Sequence, residues 1–453
     1  TIYGEAGDDT IYGKSGNNSL NGGANDDIIY AGKGLDTIDG GDGIDTLRFD
    51  GAEQRVVVNL GADTLTYDTT QTLATNRFIN SWKNGGANQV GTATNIENVD
   101  GTQFNDTIRG NNSINTILAG AGDDYIYASL GDDKYDGGNS TNGDTVDFSL
   151  LSGLIQGSGE NFNGVSVNLG GIAGARFSRI VSLVEETTSQ LFSSIENIIG
   201  SSNNDDIIGN SSKNTLRGGA GDDKLYGEEG NDRIVGGVGN DTIDGGEGID
   251  TVSYFDASSV TLSLRGSSYG TASATYSGVS YNDRLYSIEN VIGSSGDDTI
   301  QGNEEDNTLD GAGGNNTVSY SGAAAGVTVD LGITTAQNTG DGNDTLLKFS
   351  NLTGSSQDDI LKGNNNSNII KGGNGADIIY GIGESNFLYG ESGNDTFIGK
   401  VAGSDFIDGG AGSNKVDYSS LTQANSITVN LGTTTSRNDE KSVSRSEEHT
   451  SEL

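Results

Sequence analysis

The sequence predicts an all-β solenoid in which short strands stack in a repeating coil. The clearest sign is residues 218–253, which run GGAGDDKLY, GEEGNDRIV, GGVGNDTID and GGEGIDTVS without a gap. A period of nine is neither helical nor a plain strand alternation, and it indicates a turn of about six residues followed by a strand of about three. The chain also contains no Pro, whose missing N–H has few tolerated places where every strand is paired on both sides.

Each nine-residue unit follows one plan. Gly occupies positions 1 and 4, Asp occupies position 6, and an aliphatic residue such as Leu225 occupies position 8. Gly tolerates the left-handed backbone of a tight turn, and position 8 points one side chain per unit into the core. Because two units complete one coil, we expect Asp223 and Asp241 to stack on one edge, and Asp232 and Asp250 on the other.

The stacked carboxylates predict a bound cation. Two carboxylates about one strand spacing apart (~4.8 Å) repel each other unless a cation lies between them. Ca²⁺ fits, because it is a hard ion that takes six to eight oxygens from carboxylates and backbone carbonyls. The alternative is that each Asp only closes its own turn by bonding nearby backbone N–H groups. The single register shared by eighteen Asp and eight Asn over twenty-six units favours calcium.

The predicted calcium ligands are the aspartates at position 6 of the units. They are Asp9, Asp27, Asp36, Asp45, Asp106, Asp124, Asp133, Asp144, Asp205, Asp223, Asp232, Asp241, Asp250, Asp298, Asp359, Asp377, Asp395 and Asp405. Asn replaces Asp in the second unit of every block, as at Asn18 and Asn115, so we expect weaker sites there. Little or no binding is expected between Asn368 and Asn386. Residues 218–253 keep Asp in both rows, and we expect this part to fold first and bind calcium most tightly.

The repeat pattern of residues 218–253 resembles the repeats-in-toxin family, whose nonapeptide GGxGxDxUx is rich in glycine and aspartate. The resemblance implies an elongated, right-handed parallel β-roll stapled by Ca²⁺ between successive turns on both edges. In that family the Asp at position 6 supplies side-chain oxygen and the turn backbone supplies carbonyl oxygens. The resemblance also implies a secreted or cell-surface bacterial protein. Such a chain would cross a type I secretion machine unfolded and fold outside, where Ca²⁺ is plentiful.

Five blocks of nonapeptides alternate with less regular spacers. The predicted blocks span residues 1–48, 101–144, 200–253, 293–319 and 354–417. The predicted spacers span residues 49–100, 145–199, 254–292 and 320–353, with a truncated fifth at 418–444. Each complete spacer holds an alternating strand such as VVVNL and re-enters the next block through NIENV, SIENI, SIENV or FSNL. We expect wider coils that continue the solenoid, with a small capping sheet as the alternative.

The two ends of the chain predict a fragment. The chain has no starting Met and opens inside a repeat. Residues 445–453 (RSEEHTSEL) share nothing with the repeats and look like the translation of a sequencing-library adapter, with a native polar tail as the alternative. We therefore expect the only histidine, His449, to be non-native.

The amino-acid composition excludes several kinds of binding partner and metal site. The formal net charge of −40 argues against nucleic acid and anionic membranes as partners. Roughly twenty divalent ions would cancel this charge, and without them we expect an expanded, disordered chain. The absence of Cys excludes disulfides and thiolate metal sites. No apolar run is long enough to span a bilayer, and no signal peptide is present.

The sequence lacks the residue sets typical of an enzyme. His449 is the only His, so HExxH and Ser–His–Asp arrangements are excluded, and no GxSxG elbow is present. We therefore predict a non-enzymatic, calcium-binding region that acts as a structural or adhesive stalk. The alternative is the accessory calcium-binding region of a secreted enzyme or toxin whose catalytic domain lies outside this sequence.

Two further features are candidates for a surface or carbohydrate contact. Tyr12 and Tyr30, one coil apart at position 9, predict an aromatic ladder on an exposed face, with a carbohydrate-stacking surface as the alternative. The loop at residues 77–83 holds the only Trp in a basic patch. It either contacts a partner or is anchored by its own aromatic residues.

Overall fold

The protein is described by a computed structural model that covers most of the chain. The described residues are 1–49, 52–61, 64–68, 71–81, 89–151, 161–170, 175–181, 184–266, 268–383, 385–399, 405–417 and 442–444. The expected non-native segment 445–453, Trp82, and all but three residues of the fifth spacer lie outside them. Two compact units are present, Thr1–Gly248 and Ile249–Leu453. Among the described residues, no helix has the length and apolar character needed to cross a membrane.

The named elements of both units are β-strands. Those of the first unit are β1 Ile2–Ala6, β2 Thr10–Tyr12, β3 Ser19–Ala24, β4 Ile28–Tyr30, β5 Thr37–Asp42, β6 Thr46–Arg48, β7 Val57–Asn59, β8 Leu65–Asp68, β9 Gln71–Leu73, β10 Arg77–Ser81, β11 Gln89–Thr94, β12 Asn98–Thr102, β13 Thr107–Arg109, β14 Thr116–Ala121, β15 Tyr125–Tyr127, β16 Lys134–Asn139, β17 Thr145–Asp147, β18 Asn161–Asn168, β19 Ala175–Val181, β20 Val184–Ser193, β21 Asn197–Ile199, β22 Asp206–Ile208, β23 Thr215–Ala220, β24 Lys224–Tyr226, β25 Arg233–Val238 and β26 Thr242–Asp244. Those of the second unit are β27 Thr251–Ser253, β28 Ser259–Ser263, β29 Gly270–Tyr276, β30 Val279–Tyr286, β31 Asn290–Ile292, β32 Thr299–Gln301, β33 Thr308–Asp310, β34 Asn316–Ser319, β35 Thr328–Asp330, β36 Gln337–Asn338, β37 Asn343–Leu347, β38 Phe349–Thr353, β39 Ile360–Lys362, β40 Ile369–Asn374, β41 Ile378–Tyr380, β42 Phe387–Ser392, β43 Thr396–Ile398, β44 Phe406–Asp408, β45 Lys415–Asp417 and β46 Ser442–Ser444.

Strands of the repeats pair in parallel with the strand two places along the chain. In one sheet β1 pairs with β3 and β3 with β5, so that Leu20 lies opposite Ile38. In the other sheet β2 pairs with β4 and β4 with β6, so that Ile29 lies opposite Leu47. Consecutive units therefore alternate between two parallel sheets, and two units make one coil of a β-roll.

The core of the roll consists of the position-8 side chains. Leu20, Ile29 and Ile38 are all buried, as the sequence predicts. The two larger residues at this position, Tyr135 and Phe397, are buried as well. Because each unit contributes one inward side chain, a coil buries little apolar surface alone, and its stability depends on its neighbours in the stack.

Antiparallel strands of the spacers are inserted between parallel strands of the blocks. In the first spacer β11 pairs in parallel with β5, β10 pairs antiparallel with both β11 and β7, and β7 pairs in parallel with β13. The second spacer repeats this order, with β16, β20, β19, β18 and β22 as successive neighbours. In the second unit β28 pairs antiparallel with β29 and in parallel with β32. Each of these spacers shares backbone hydrogen bonds with the repeats that follow it.

Aromatic residues fix the spacers to the core. The aromatic residue at or near the start of each of the four complete spacers is buried: Phe49, Phe148, Tyr254 and Tyr320. The Phe49 ring meets the Phe78 ring edge-on, with centroids 5.5 Å apart. Phe78 is itself buried, so the start of the 77–83 segment is anchored by an aromatic residue of its own.

The predicted tyrosine ladder is present. The rings of Tyr12 and Tyr30 are stacked, with centroids 4.4 Å apart and an interplanar angle of 13°. Arg48 continues the row, since its guanidinium lies 5.4 Å from the centre of the Tyr30 ring. Arg48 also forms a 2.7 Å ion pair with Asp100.

Candidate metal centre

The carboxylates at position 6 stack in rows, one per coil. The backbone N–H of Asp9 donates to Oδ1 of Asp27, and that of Asp27 to Oδ1 of Asp45, each at 2.8 Å. In the second unit, Asp377 donates to Asp395 in the same way at 3.0 Å. One oxygen of each acceptor carboxylate is thus held by the backbone of the preceding coil. This contact fixes the side chains of a row in register.

Most of the predicted ligands are buried in the structure. Asp9 and Asp405 are half-buried. The buried ones are Asp27, Asp36, Asp45, Asp106, Asp124, Asp133, Asp144, Asp205, Asp223, Asp232, Asp241, Asp250, Asp298, Asp359, Asp377 and Asp395. Burying a carboxylate is costly unless each of its oxygens gains a hydrogen bond or a cation, so the partners of the individual oxygens decide what these side chains do.

The second oxygen of many of these carboxylates has no hydrogen-bond partner. Oδ2 is shielded from solvent and unpartnered in Asp9, Asp27, Asp36, Asp45, Asp124, Asp144, Asp223, Asp377 and Asp395. A single buried acceptor left unsatisfied costs about 1–3 kcal/mol, and more when it is charged. Rows of such atoms therefore require a compensating proton or cation.

A backbone carbonyl converges on the same place as the unpartnered oxygen. A Cβ built on Gly22 would stand under 3.0 Å from both Oδ2 of Asp27 and the carbonyl oxygen of Gly40. An unpartnered Oδ2 and a backbone carbonyl oxygen meet in the same way at Gly4, Gly218, Gly372 and Gly390. Position 1 thus needs Gly for space. Position 2 differs, because Gly23 has a φ of 119° and needs Gly for its backbone.

Burial and mutual repulsion raise the pKa values of the row carboxyls. Removal from water raises the pKa of Asp223 from 3.8 to about 9, with the charges of Asp205 and Asp241 adding to the shift. Burial likewise raises the pKa of Asp124 and of Asp377 to about 7. At neutral pH these groups therefore take up either a proton or a positive ion.

The donors at this position fit Ca²⁺. They are carboxylate and carbonyl oxygens, which this hard ion prefers and accepts in flexible numbers of six to eight. Among the described residues, no three or more acidic, His or Cys side chains form a group that could hold a metal. Backbone carbonyls would therefore supply most of the ligands, with about one carboxylate oxygen from each turn.

A match to a known protein family identifies the family of this chain. The family described as RTX calcium-binding nonapeptide repeat (4 copies) matches residues 1–20, 12–47, 100–135, 199–234, 220–252, 277–318, 353–383, 383–400 and 401–420. These segments cover more than half of the 453 residues. The chain belongs to the RTX repeat family. Its repeats imply calcium binding, and the predicted all-β roll is confirmed by the parallel strands. The comparison with curated proteins finds no significant match.

In four blocks of this RTX chain, the first aspartate is satisfied by its own turn. Ser201 donates its backbone N–H to Oδ2 of Asp205 at 2.6 Å and its hydroxyl to Oδ1 at 2.9 Å. The equivalent pairs are Thr102–Asp106, Ser294–Asp298 and Ser355–Asp359. Because both oxygens accept hydrogen bonds, the turn-closing alternative accounts for these four geometries. Calcium ligation by them stays a prediction.

Asp133 is satisfied by a buried side-chain network instead. Its Oδ2 accepts hydrogen bonds from the hydroxyls of Tyr135 at 2.7 Å and Ser129 at 2.8 Å, and from the amide of Gln190 at 3.3 Å. Tyr135 stands where other units carry an aliphatic residue, and Gln190 comes from the second spacer. Neutral donors here take the place that a cation would hold in the other rows.

The recurrent Asn of the second unit links two coils without an ion. Nδ2 of Asn115 donates to the carbonyl oxygen of Glu97 at 2.8 Å and to Oδ1 of Asn111 at 3.0 Å. The equivalent inter-coil pairs are Asn214–Glu196, Asn307–Glu289 and Asn368–Ser350, at 2.9, 2.9 and 2.8 Å. A carboxylate could not donate these bonds. The amide is therefore suited to a turn that binds calcium weakly or not at all.

Sequence reasoning missed the glutamates of the re-entry segments. The backbone N–H of Asp45 donates to Oε2 of Glu97 at 3.0 Å, and that of Asp144 to Oε2 of Glu196 at 2.9 Å. Each Glu thus stands in the row where the next coil would carry Asp. The shared Glu of NIENV, SIENI and SIENV was the signal that could have shown it.

Proposed function

We propose that this chain is the calcium-dependent, non-catalytic β-roll region of a secreted or surface bacterial protein, and that it acts as a structural or adhesive stalk. It would cross a type I secretion machine unfolded and fold outside the cell. Proteins with RTX repeats are typically secreted by bacteria, which supports the location. The single His and the absence of Cys support a role without catalysis.

The observation that carries the proposal is the set of buried, unpartnered Oδ2 atoms in the rows. In Asp27 and Asp45 this atom lies inside the folded chain with no donor near it. A cation that binds only the folded chain stabilises it by RT ln(1 + [L]/Kd) per site, and several sites act together. Sites in the range of extracellular calcium modules, about 10⁻⁴–10⁻³ M, would remain empty in the cytoplasm and fill outside.

A calcium titration tests the folding switch. The purified chain, freed of metal, is titrated with Ca²⁺ while circular dichroism and the hydrodynamic radius are followed. We expect strand signal to appear and the radius to shrink cooperatively, with Mg²⁺ at equal concentration far less effective because it dehydrates reluctantly. A circular dichroism signal that does not change as Ca²⁺ is added would refute the proposal.

The stalk role is tested by pulling on single molecules. Strand pairing continues from block to spacer, as between β5 and β11 and between β7 and β13. Many backbone hydrogen bonds must therefore break before the chain can be extended by force. With Ca²⁺ we expect discrete rupture events, and without it the smooth extension of a disordered chain. Identical force curves in the two conditions would refute the mechanical role. A carbohydrate-stacking role for the exposed Tyr12 ring stays a prediction, and glycan binding that a Tyr12→Ala variant abolishes would favour adhesion.

A further inference from the structure

We propose that Glu97, Glu196 and Glu289 are calcium ligands, each completing a site with the last aspartate of the block before it. These sites would lie where a block meets its spacer. Glu97 and Glu196 fall outside the segments that match the RTX repeat, so the nonapeptide pattern does not assign them. The inference rests on the proposed calcium-dependent folding and adds a second kind of site to it.

Strand register places the re-entry turn directly over the last repeat turn. In the first spacer Thr94 pairs with Asp39, and Asn98 pairs with Thr46. The repeat turn from Gly40 to Asp45 therefore faces a turn that runs only from Asn95 to Glu97. The spacer turn is shorter, so its acidic residue starts further from the row, and the extra methylene of Glu restores the reach.

An unpartnered carboxylate oxygen and a backbone carbonyl oxygen converge on one point in this junction. Asp45 is fully buried, and its Oδ2 has no partner. That oxygen and the carbonyl oxygen of Asn95 both lie under 3.0 Å from the point where a Cβ on Gly40 would stand. Two oxygen acceptors so close to one point require a cation or a proton. The Glu97 carboxylate, held by the Asp45 N–H at 3.0 Å, supplies a second negative charge beside them.

The second junction repeats the first one. Asp144 is fully buried, and its Oδ2 is unpartnered. It meets the carbonyl oxygen of Ser194 at the Cβ position of Gly137. Ser194 has a left-handed backbone with φ 53°, close to the 51° of Asn95, so the two carbonyls are presented alike.

The third junction shares the contact that defines the others. The backbone N–H of Asp250 donates to Oε2 of Glu289 at 2.7 Å. Ser287, two residues before Glu289, has φ 49°, again as in the first two junctions.

The fourth junction shows what happens when the acids are missing. Asn316 stands where the first three blocks end in Asp, and Ser350 stands where the first three spacers carry Glu. Nδ2 of Asn316 donates directly to the carbonyl oxygen of Lys348 at 3.1 Å. Lys348 has φ 59° and corresponds to Asn95 and Ser194. The two acids are therefore present together or replaced together, and a donor–acceptor pair takes over where they are absent.

On the side that faces the next block, the backbone carbonyl of each Glu accepts a hydrogen bond from an Asn side chain of that block. Nδ2 of Asn115 donates to the carbonyl oxygen of Glu97, and Nδ2 of Asn214 to that of Glu196. No cation is needed on this side. Each junction would therefore hold one ion, between the last Asp and the Glu.

The test counts calcium ions bound per folded chain. The variant Glu97→Gln/Glu196→Gln/Glu289→Gln is compared with the unchanged chain by equilibrium dialysis and elemental analysis at saturating Ca²⁺. Gln keeps an oxygen that accepts the backbone N–H, so a purely structural role would leave the count unchanged. The matched control Glu5→Gln/Glu229→Gln/Glu304→Gln removes the same charge from exposed side chains.

We expect the junction variant to lose one ion per junction, three in all, and the control to lose none. An unchanged count in the junction variant would overturn the proposal. If the triple variant does not fold, the three single variants are measured, each with an expected loss of one ion. An unchanged chain that takes up no calcium would instead defeat the proposed function itself, so the two failures are distinguishable.

A gain of a site tests the same idea in reverse. The double substitution Asn316→Asp/Ser350→Glu gives the fourth junction the acids of the other three. We expect one additional ion per chain. Correct folding with no additional ion would also overturn the proposal.

Discussion

The backbone N–H of Asp27 donates to Oδ1 of Asp45 at 2.8 Å, one coil further along the chain. This contact ties the carboxylate to the backbone of its neighbour and turns its other oxygen, Oδ2, into the shielded interior. The hydrogen bond sets the register of the row without any ion. An ion would therefore decide whether the stacked coils are stable, and the backbone decides where they stack.

Removing two row carboxylates should raise the calcium needed for folding. We expect Asp223→Asn/Asp241→Asn to raise the Ca²⁺ midpoint of folding by a few-fold, because two turns of the row each lose a charged ligand while the other ions that share the transition keep theirs. Circular dichroism during calcium titration measures the midpoint.

The matched double variant is Asp298→Asn/Asp306→Asn. Asp298 is already held by both donors of Ser294, and Asp306 is exposed and accepts hydrogen bonds from the backbone N–H of Asn343 at 2.8 Å and from its side-chain amide at 3.2 Å. We expect a smaller shift for this pair. Equal shifts in the two variants would contradict the ranking of the blocks.

The calcium-free chain should fold more readily in acid. Folding raises the pKa of Asp45 and Asp144 to about 6, and of Asp124 and Asp377 to about 7, from 3.8. The folded chain then binds more protons than the unfolded chain, so the stability that these four groups contribute is fully present below about pH 3.8 and is lost as pH rises through about 6 to 7. Strand dichroism of the metal-free chain, followed from pH 8 downward, measures this gain of structure.

Calcium should reverse that trend. The ion competes with the proton for the same oxygens, so the calcium-loaded chain becomes more stable as pH rises over the same window. Urea unfolding at several pH values, with and without calcium, compares the two slopes. A metal-free chain whose stability rises with pH would refute the prediction.

A methyl group at position 1 should block a site. In Gly22→Ala the new Cβ would overlap Oδ2 of Asp27 and the carbonyl oxygen of Gly40. Overpacking of this kind costs about 1–3 kcal/mol, and the ion position is lost as well. We expect a higher calcium midpoint and one ion fewer per chain. Gly170→Ala is the control, because its Cβ would meet its nearest neighbours at 3.6 and 3.7 Å; an equal effect there would show that the space at Gly22 is not special.

The stability of the protein should depend on the hydrogen bonds that the side-chain nitrogen of Asn115 donates. In Asn115→Asp the donors to Glu97 and Asn111 are lost, and acceptors then face acceptors inside the protein. We expect a loss of about 1–3 kcal/mol in the free energy of unfolding, measured by urea denaturation in calcium. Asn105→Asp serves as the control, since exposed Asn105 only accepts a hydrogen bond from the N–H of Asp123. Its cost should stay within about 0.5 kcal/mol.

Much of the fold follows from the period of the sequence. Position 8 is buried and position 6 stacks by coil because nine residues per unit leave no other arrangement for one aliphatic and one acidic residue. The differences among the aspartates could not be predicted in this way. Asp205 and Asp223 occupy the same position of the same motif, yet only Asp205 has both oxygens bonded by one residue of its own turn, namely Ser201. Which oxygens remain without a donor depends on the residue at position 2, where Ser201 stands in place of the Gly of the GGxGxDxUx pattern.

The pairing of each repeat strand with the strand two places along has a consequence for inheritance. β3 meets β5, and β4 meets β6, so successive units belong to different faces of the roll. Gain or loss of a single unit by recombination would move every following unit to the opposite sheet. Some Asn side chains would then stand in rows where Asp side chains had stacked. Gain or loss of a pair leaves every downstream neighbour in place. A gene for such a protein can therefore gain or lose repeats without changing the stacking of the remaining ones only when an even number of nine-residue units is gained or lost.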